Sequence, residues 1–593
     1  MTESDTTRSE NSEFGDQRRR WWFQPELAFI VVLVLGIYAC RLTAIPVIGE
    51  EGRWARGAVQ MIETGDWIVP RQQGQVFPER PPMSSWMMAI VGKVRGSVDA
   101  VAVRLPSVLA VLVTSLLIYG YSRCFISRFG ALAAAIVFAT FGQVLQLGRL
   151  GESESLFTLF VSASLIIWHW GYVRSWPSWL VWLLGYVLMV CAALVKGPQA
   201  PVYFVAVTSI FLAVKRDWRF LLSWSHATGL AVGLAVIAAW QIPFYLATDV
   251  SSSLAVWGGL AGDRFSLNGF FAHLMSYPVE TFGCLLPWSP LLMVLVNRRF
   301  RESIQDAKPL VTFISIALLV TYPTVWFASG ARGRYYMPLY PCVAILLGVI
   351  IERCLIVGAK KWERHSWYRF VIGCATVGVI AGISVGTTGS VITIRNNPLN
   401  ALSPQFAVGY GIIAVALAAL LVWSCFKHEV MRAYASLVAL SVIFGLSYTG
   451  IVVSIEADRL NDLGPVVANI KQQLPNPQKL VSLGPVDFRF CYHFEDQIKE
   501  LPWPATIEEL PADTEYVCFD RHPSDTDSIR ITGRGRTWRR SAARFPFEWE
   551  EVATVCCERR IRQSPQPVVV IAKIIKPTPT IVSKKIANET SRH

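Results

Sequence analysis

ELAFIVVLVLGIYACRLTAIPVIGEEGRWAR (26–56) opens with an apolar block of bilayer length and runs without a linker into a cluster of charge. About 20 consecutive apolar residues cross a hydrocarbon core as a helix, because only a helix satisfies its own backbone there. Blocks 102–122, 177–195, 220–247 and 369–391 repeat the pattern in a chain of 593 residues that is 53% hydrophobic and 16% charged. A soluble protein of this length carries more charge, so the chain reads as polytopic and membrane-embedded. Trp21, Trp22, Trp168, Trp170, Trp176 and Trp179 sit near block ends, where an interfacial aromatic belt is expected.

Thirteen spans are expected, at 26–46, 102–122, 129–147, 153–171, 177–195, 199–214, 220–247, 281–297, 309–328, 335–356, 369–391, 405–426 and 433–455. The net charge of +13 is gathered in short clusters: Arg18–Arg20, Arg123 and Arg128, Lys215–Arg219, Arg298–Arg301, Lys360–Arg364, and Lys427 with Arg432. These fall in alternate loops, as the positive-inside rule requires. A cytoplasmic face explains the basicity, and no nucleic-acid partner is needed. This reading gives a plasma (inner) membrane protein with residues 1–25 as a cytoplasmic tail and the C-terminus outside. Loops 47–101 and 248–280 are the long outside loops, and Trp86, Met87, Met88, Ile90 and Val91 suggest a helix lying along the interface. The tail changes character. Residues 456–575 alternate β-rich runs (480–483, 516–519, 568–571) with polar connections, which fits a small extracytoplasmic α/β domain, and 576–593 looks frayed. Cys491, Cys518, Cys556 and Cys557 lie in that tail, and spacing does not decide their pairing.

Ionisable residues at membrane depth are functional candidates because they are costly to keep there. Here they gather on one side: Glu50, Glu51, Arg53 and Arg56, then Glu79 and Arg80, then Arg149, Glu152 and Glu154, then Lys196, then Asp263, Arg264 and His273, then Arg332, Arg334, Tyr335 and Tyr336. Cations can hold a lipid-borne phosphate while a carboxylate deprotonates a hydroxyl. Bland readings compete with that one. Glu51, Arg56 and Glu152 read equally well as solvated loop charges, Glu154 as a charge favoured by a helix N-terminus, and Lys196 as a snorkelling lysine.

GEEGRWARGAVQMIETGDWIVP (49–70), FPERPPMSSW (77–86) and VAVRLPSVLA (101–110) resemble the dolichyl-phosphate-mannose protein mannosyltransferase superfamily. The likeness is to its lipid A aminoarabinose transferase branch of GT-C glycosyltransferases. GRLGESESLFTLF (148–160), LVKGPQA (194–200), LLPW (285–288) and SGARGRYYMPLYP (329–341) extend it. The resemblance implies an all-α, GT-C-type membrane domain over 26–455. It also implies an inverting glycosyl transfer from a polyprenyl-phosphate sugar to a lipid, glycan or protein acceptor. By the same resemblance Glu50 is the catalytic base and Glu154 a second catalytic carboxylate. Arg53, Arg80, Arg332, Tyr336 and Lys196 would bind the lipid phosphate, Glu79 and His273 would hold a divalent metal, and no nucleotide cofactor is expected. Glu50 and Glu154 stand where the family usually has Asp, and Arg80 and Arg332 where it has Lys. A transporter or lipid flippase is the alternative, but it predicts charge near span centres. A non-catalytic envelope assembly protein is the other, and it has no use for acid and base in the first loop.

Overall fold

The computed structural model describes residues 24–575 apart from 79, 259–268, 305–306, 356–360, 389–401, 426–429, 522–528, 534–535, 541–546 and 558–567. The N-terminal arginines, Trp21, Trp22, Glu79, Asp263, Arg264, Lys360, Lys427 and the frayed end at 576–593 therefore lie outside the described residues. The chain divides into two compact units. One holds residues up to 45, 57–70 and 76–459, and the other holds Pro46–Arg56, Arg71–Gln75 and everything from Leu460 onward.

The first unit is a helical membrane body. Among the described residues, nine helices are long and apolar enough to cross a membrane: Ala100–Ser122, Ser153–Val173, Ser178–Lys196, Trp218–Ala247, Lys308–Trp326, Gly333–Leu355, Arg364–Thr387, Pro404–Ser424 and Val430–Arg459. The expected span at 281–297 is instead a pair of helices, Phe270–Cys284 and Ser289–Val296, bent by 115°. Three further expected spans contain shorter apolar helices, Pro25–Tyr38, Arg128–Ala139 and Gln199–Lys215. Every expected segment thus contains an apolar helix.

Local chemistry sets the boundaries. Pro25 occupies the first turn, where its missing N–H costs nothing. The Asp99 carboxylate caps the next span by accepting the Ala102 N–H at 2.8 Å, and Ser127 caps Arg128–Ala139 through the Gly130 N–H. A Cβ on Gly348 would come within 2.7 Å of both the Gly130 carbonyl oxygen and the Ala134 Cβ. Small residues therefore let these two helices approach closely, as is usual within a bilayer. The amphipathic stretch of the first loop is the helix Met83–Arg95, with Ile90 and Val94 exposed and Met88 and Ala89 buried.

Trp168 departs from its expected place in the belt. It is fully buried, with its ring 5.4 Å from Trp182 and 5.7 Å from Tyr172, in an aromatic core that also stacks His169 on Phe313. Proximity to a block end does not reveal which way a side chain points. Trp179, on the neighbouring helix, is exposed.

The second unit is an α/β body. Its strands are β3 (Leu480–Leu483), β4 (Lys499–Leu501), β5 (Tyr516–Arg521), β8 (Glu548–Cys556) and β9 (Val568–Ile575), after a two-strand hairpin β1–β2 in the first loop (Arg71–Gln72, Gln75–Val76) and before a separate hairpin β6–β7 (Ile529–Gly533, Arg536–Arg540). The five-stranded sheet runs β4-β3-β5-β9-β8. β3 is parallel to β4 and β5, and β9 is antiparallel to β5 and β8. The two-residue alternation sorts side chains cleanly. Tyr516 and Cys518 face a core with the helices Leu463–Gln473 and Phe488–Phe494, while Val517 and Phe519 face a second core with Phe547 and Leu510. Cys491, Cys518 and Cys557 are thiols buried in the first core, and burial pushes all three well up from the ordinary thiol range.

The hairpin tip at Gln73 and Gly74 belongs to this α/β body. Both residues have positive φ, 51° and 81°, as a two-residue I′-type turn demands. Gln73 tolerates that conformation because three contacts hold it. Its Nε2 donates to Ser482 Oγ at 2.7 Å, its Oε1 accepts from Val486 N at 3.4 Å, and its carbonyl accepts from Glu500 N at 3.1 Å.

One carboxyl in this body is poised for a pH test. Burial, then the neighbouring Asp487 carboxylate, pushes Asp520 up to about 7, although it accepts the Asp487 backbone N–H. A carboxyl raised in the folded state binds more protons folded than unfolded between its two pKa values. Its contribution to stability therefore falls as pH rises from about 4 through about 7. Asp520→Asn in the detergent-solubilised full chain is expected to raise the melting temperature at pH 8 and to lose that advantage by pH 5. A difference that does not vary with pH would contradict the buried acid.

Candidate active site

In the membrane body, the start of the helix Ser153–Val173 lies beside the end of the helix Ser178–Lys196. Lys196 Nζ donates to Glu154 Oε1 at 2.7 Å, and each side chain is only 6% exposed. Arg334 enters from a third segment. Its guanidinium is 2.9 Å from Glu152 Oε2 and 3.6 Å from Glu154 Oε1. The Tyr335 ring lies against both cations, 5.1 Å from Lys196 Nζ and 5.9 Å from the Arg334 guanidinium carbon. The positive field of Arg80 also reaches Lys196. Among the described residues, three cations and two carboxylates thus converge where helix ends meet.

Several bland readings are overturned here. Lys196 does not snorkel to solvent; its ammonium is buried on Glu154. Glu152 is not a solvated loop charge, because 6% exposure and the Arg334 pair place it inside the network. Arg334 is the member that the sequence left without a role, since its partner lies 182 residues away. Tyr336 turns elsewhere: its hydroxyl donates to the Leu318 carbonyl at 3.0 Å and it is 3% exposed. The aromatic side chain beside the cations is Tyr335. The Arg332 side chain is exposed, and the Arg332 carbonyl accepts from Tyr277 Oη at 3.4 Å. Arg149 serves the fold, donating to the Cys40 and Arg41 carbonyls at 3.1 and 2.7 Å. Arg104 does the same for Leu42 and Ile45 at 2.6 and 2.7 Å. These two arginines satisfy backbone carbonyls in the irregular segment that follows the first helix.

Glu50, Glu51, Arg53 and Arg56 belong to the α/β body. Glu51, expected to be a solvated loop charge, is fully buried and accepts the Ile48 N–H at 2.9 Å. Arg56, read the same way, is 3% exposed and donates to the Glu495 carbonyl at 2.8 Å. Glu50 differs. Its side chain is 42% exposed and pairs with Arg53 Nη1 at 2.7 Å, at the first turn of the helix Glu51–Thr64. The positive end of that helix favours a carboxylate there. A base must be reached by its substrate. Glu50 meets that condition, while Glu154 is buried on Lys196 and serves to fix it.

The metal expectation finds one donor. Glu79 lies outside the described residues, and His273 Nε2 is 3.4 Å from the Val325 carbonyl, with its ring 4.8 Å from Tyr277. Among the described residues no group of three or more His, Cys, Asp or Glu is placed to hold a metal. One imidazole does not make such a site.

Residues 79–242, which contain Arg80, Glu152, Glu154 and Lys196, match the family described as dolichyl-phosphate-mannose-protein mannosyltransferase. An undecaprenyl phosphate-alpha-4-amino-4-deoxy-L-arabinose arabinosyl transferase of Pseudomonas paraeruginosa is 28% identical over 318 residues, covering 52% of this chain and 56% of the relative. One from Pseudomonas fluorescens is 25% identical over 403 residues, covering 66% and 68%. The chain therefore spans little more than half the length of the first curated relatives it matches. The crystal structure of ArnT from Cupriavidus metallidurans bound to undecaprenyl phosphate superposes with a TM-score of 0.61 at 16% identity, over 93% of this chain and 98% of that one. Its apo form gives 0.60. The two proteins share a fold.

Breaking a buried pair strands a charge, at a cost of about 3–5 kcal/mol. Lys196→Met and Glu154→Gln are each expected to lower thermal stability in detergent strongly, and the double variant Lys196→Met/Glu154→Leu by less than the two combined. Additive losses would show that the two side chains do not interact.

Proposed function

Because residues 79–242 match the dolichyl-phosphate-mannose-protein mannosyltransferase family within a polytopic membrane fold shared with ArnT, we propose that this protein is a glycosyltransferase that takes its sugar from a polyprenyl phosphate. The observation that carries the reading is the buried Glu152–Arg334–Glu154–Lys196 network. Three separate chain segments meet there, with Arg80 adding positive charge, and four of these five residues lie in the matched segment. Fixed cations in a site of low dielectric stabilise charge that develops on a departing phosphate. Paired with buried glutamates, they are held in place before the reaction begins.

In this proposal Glu50 removes the proton from the acceptor hydroxyl. The oxygen lone pair attacks the anomeric carbon from the face opposite the leaving group. The bond from that carbon to the phosphate oxygen breaks, its electron pair stays on the phosphate, and polyprenyl phosphate departs. The configuration at the anomeric carbon inverts. Of the membrane body's cations, Arg80, Lys196 and Arg334 are those this reading assigns to the phosphate, and within the α/β body Arg53 steers Glu50. The alternation of basic loops puts this chemistry on the extracytoplasmic face. The names of the relatives make undecaprenyl-phosphate 4-amino-4-deoxy-L-arabinose the first donor to test, with lipid A, a surface glycan and exported protein as candidate acceptors.

The test is transfer by the purified protein in liposomes, assayed with polyprenyl-phosphate sugars and envelope acceptors. Glu50→Gln is expected to lower kcat by about 10²–10⁴-fold, the usual worth of a positioned base, with folding undisturbed. Arg80→Ala is expected to act chiefly on the donor KM. Full turnover by Glu50→Gln would remove Glu50 as the base. Donor translocation across the bilayer without transfer would favour a flippase.

A further inference from the structure

The α/β body grips the first-loop segment at four points. The Arg53 guanidinium carbon lies 4.7 Å from the centroid of the Phe488 ring. Arg56 donates to the Glu495 carbonyl. Gln73 is bound to Ser482, Val486 and Glu500, and Gln72 Nε2 donates back to the Arg53 carbonyl at 3.0 Å. Gly52 fits tightly: a Cβ there would lie 3.2 Å from the backbone N and Cα of Arg489 and 3.1 Å from its Cγ. Phe488 opens the short helix Phe488–Phe494, whose start is fixed by Asp487. The Asp487 carboxylate accepts the Arg489 N–H at 2.8 Å and pairs with its guanidinium at 3.2 Å.

A guanidinium is planar. Stacking occupies its face and leaves its in-plane N–H groups for carboxylates and phosphates. Arg53 combines the two contacts, with its guanidinium carbon over the Phe488 ring and Nη1 on Glu50 at 2.7 Å. A flexible, 42%-exposed glutamate samples several rotamers unless something fixes its partner. We propose that Phe488 is a positioning residue: its ring shelves the Arg53 guanidinium, which in turn holds the Glu50 carboxylate in the orientation that accepts the proton. The C-terminal body is then part of the catalytic apparatus. This rests on the reading of Glu50 as the base and adds the element that aims it.

Two readouts, one independent of activity, separate that reading from the shelf. Arg53 reactivity toward phenylglyoxal, followed by peptide mass spectrometry of the full chain in detergent, reports the shelf directly. Phe488→Leu keeps apolar bulk and loses the π face, so Arg53 modification is expected to rise several-fold, and Phe488→Tyr is expected to restore protection. In the transfer assay Phe488→Leu is expected to lower kcat roughly tenfold, equivalent to ~1.4 kcal/mol, with the donor KM little changed and Phe488→Tyr near the parent rate. Gly52→Ala, which removes no functional group, is expected to lower kcat in the same way. In the Glu50→Gln background, Phe488→Leu is expected to add nothing. Unchanged Arg53 reactivity in Phe488→Leu overturns the shelf. Raised reactivity with an unchanged kcat overturns its positioning role. If Glu50→Gln itself retains full turnover, the base reading and the positioning role built on it fall together, while Arg53 reactivity still decides whether the shelf exists.

Discussion

A charge held at the edge of a bilayer needs a partner, and the membrane body is organised around that need. An isolated buried ion is so unfavourable that it would be neutralised or driven into water. Lys196 stays charged and buried because Glu154 lies 2.7 Å away, and Glu152 stays so because Arg334 lies 2.9 Å from it. The consequence is geometric. The start of one span, the end of the next and the turn before Tyr340 are joined by ion pairs and cannot move apart without stranding a charge. Hydrophobic burial cannot supply that constraint in a membrane, where lipid is as apolar as leucine. Arg104 and Arg149 fix the exit of the first helix by the same logic, using carbonyls in place of carboxylates.

Much of the fold was legible in the sequence because the signals involved are local. Bilayer-length apolar runs mark the helices, and short β-rich runs between polar connections mark β3, β5 and β9 in the tail. Features set by partners distant in the chain were not legible. The bend at 281–297 depends on how two short helices meet. The Gln73–Gly74 turn carries only a weak hairpin signature, and its strained conformation is held by Ser482 and Glu500, more than 400 residues away. Trp168 occurs at a block end as a belt residue would, yet the neighbouring helix turns it inward onto Trp182.

The same distinction governs the site. Glu50, Glu51, Glu152 and Glu154 are four glutamates flanking apolar blocks, and nothing local separates their roles. Packing does. Glu51 is buried against a backbone N–H, Glu152 and Glu154 are buried against cations, and Glu50 keeps 42% of its side chain in the open. Arg334 could have been singled out by one signal already visible, its breach of the positive-inside pattern beside Arg332. That signal does not say which of the two arginines turns inward, and it is Arg334 that pairs with the buried Glu152.

This chain has arginine at 80 and 332, where the pattern it resembles has lysine. The difference between the two cations is clearest at Arg53. An ammonium is a point charge that one strong partner can monopolise, whereas a guanidinium offers a face and an edge to different partners. At Arg53 the guanidinium carbon lies over the Phe488 ring while Nη1 meets Glu50. A lysine in its place would keep the charge and lose the planar group that lies over the Phe488 ring. In the proposed reaction the planar guanidinium packs on Phe488 while it holds Glu50, so a substitution that conserves charge at Arg53 would not conserve its chemistry.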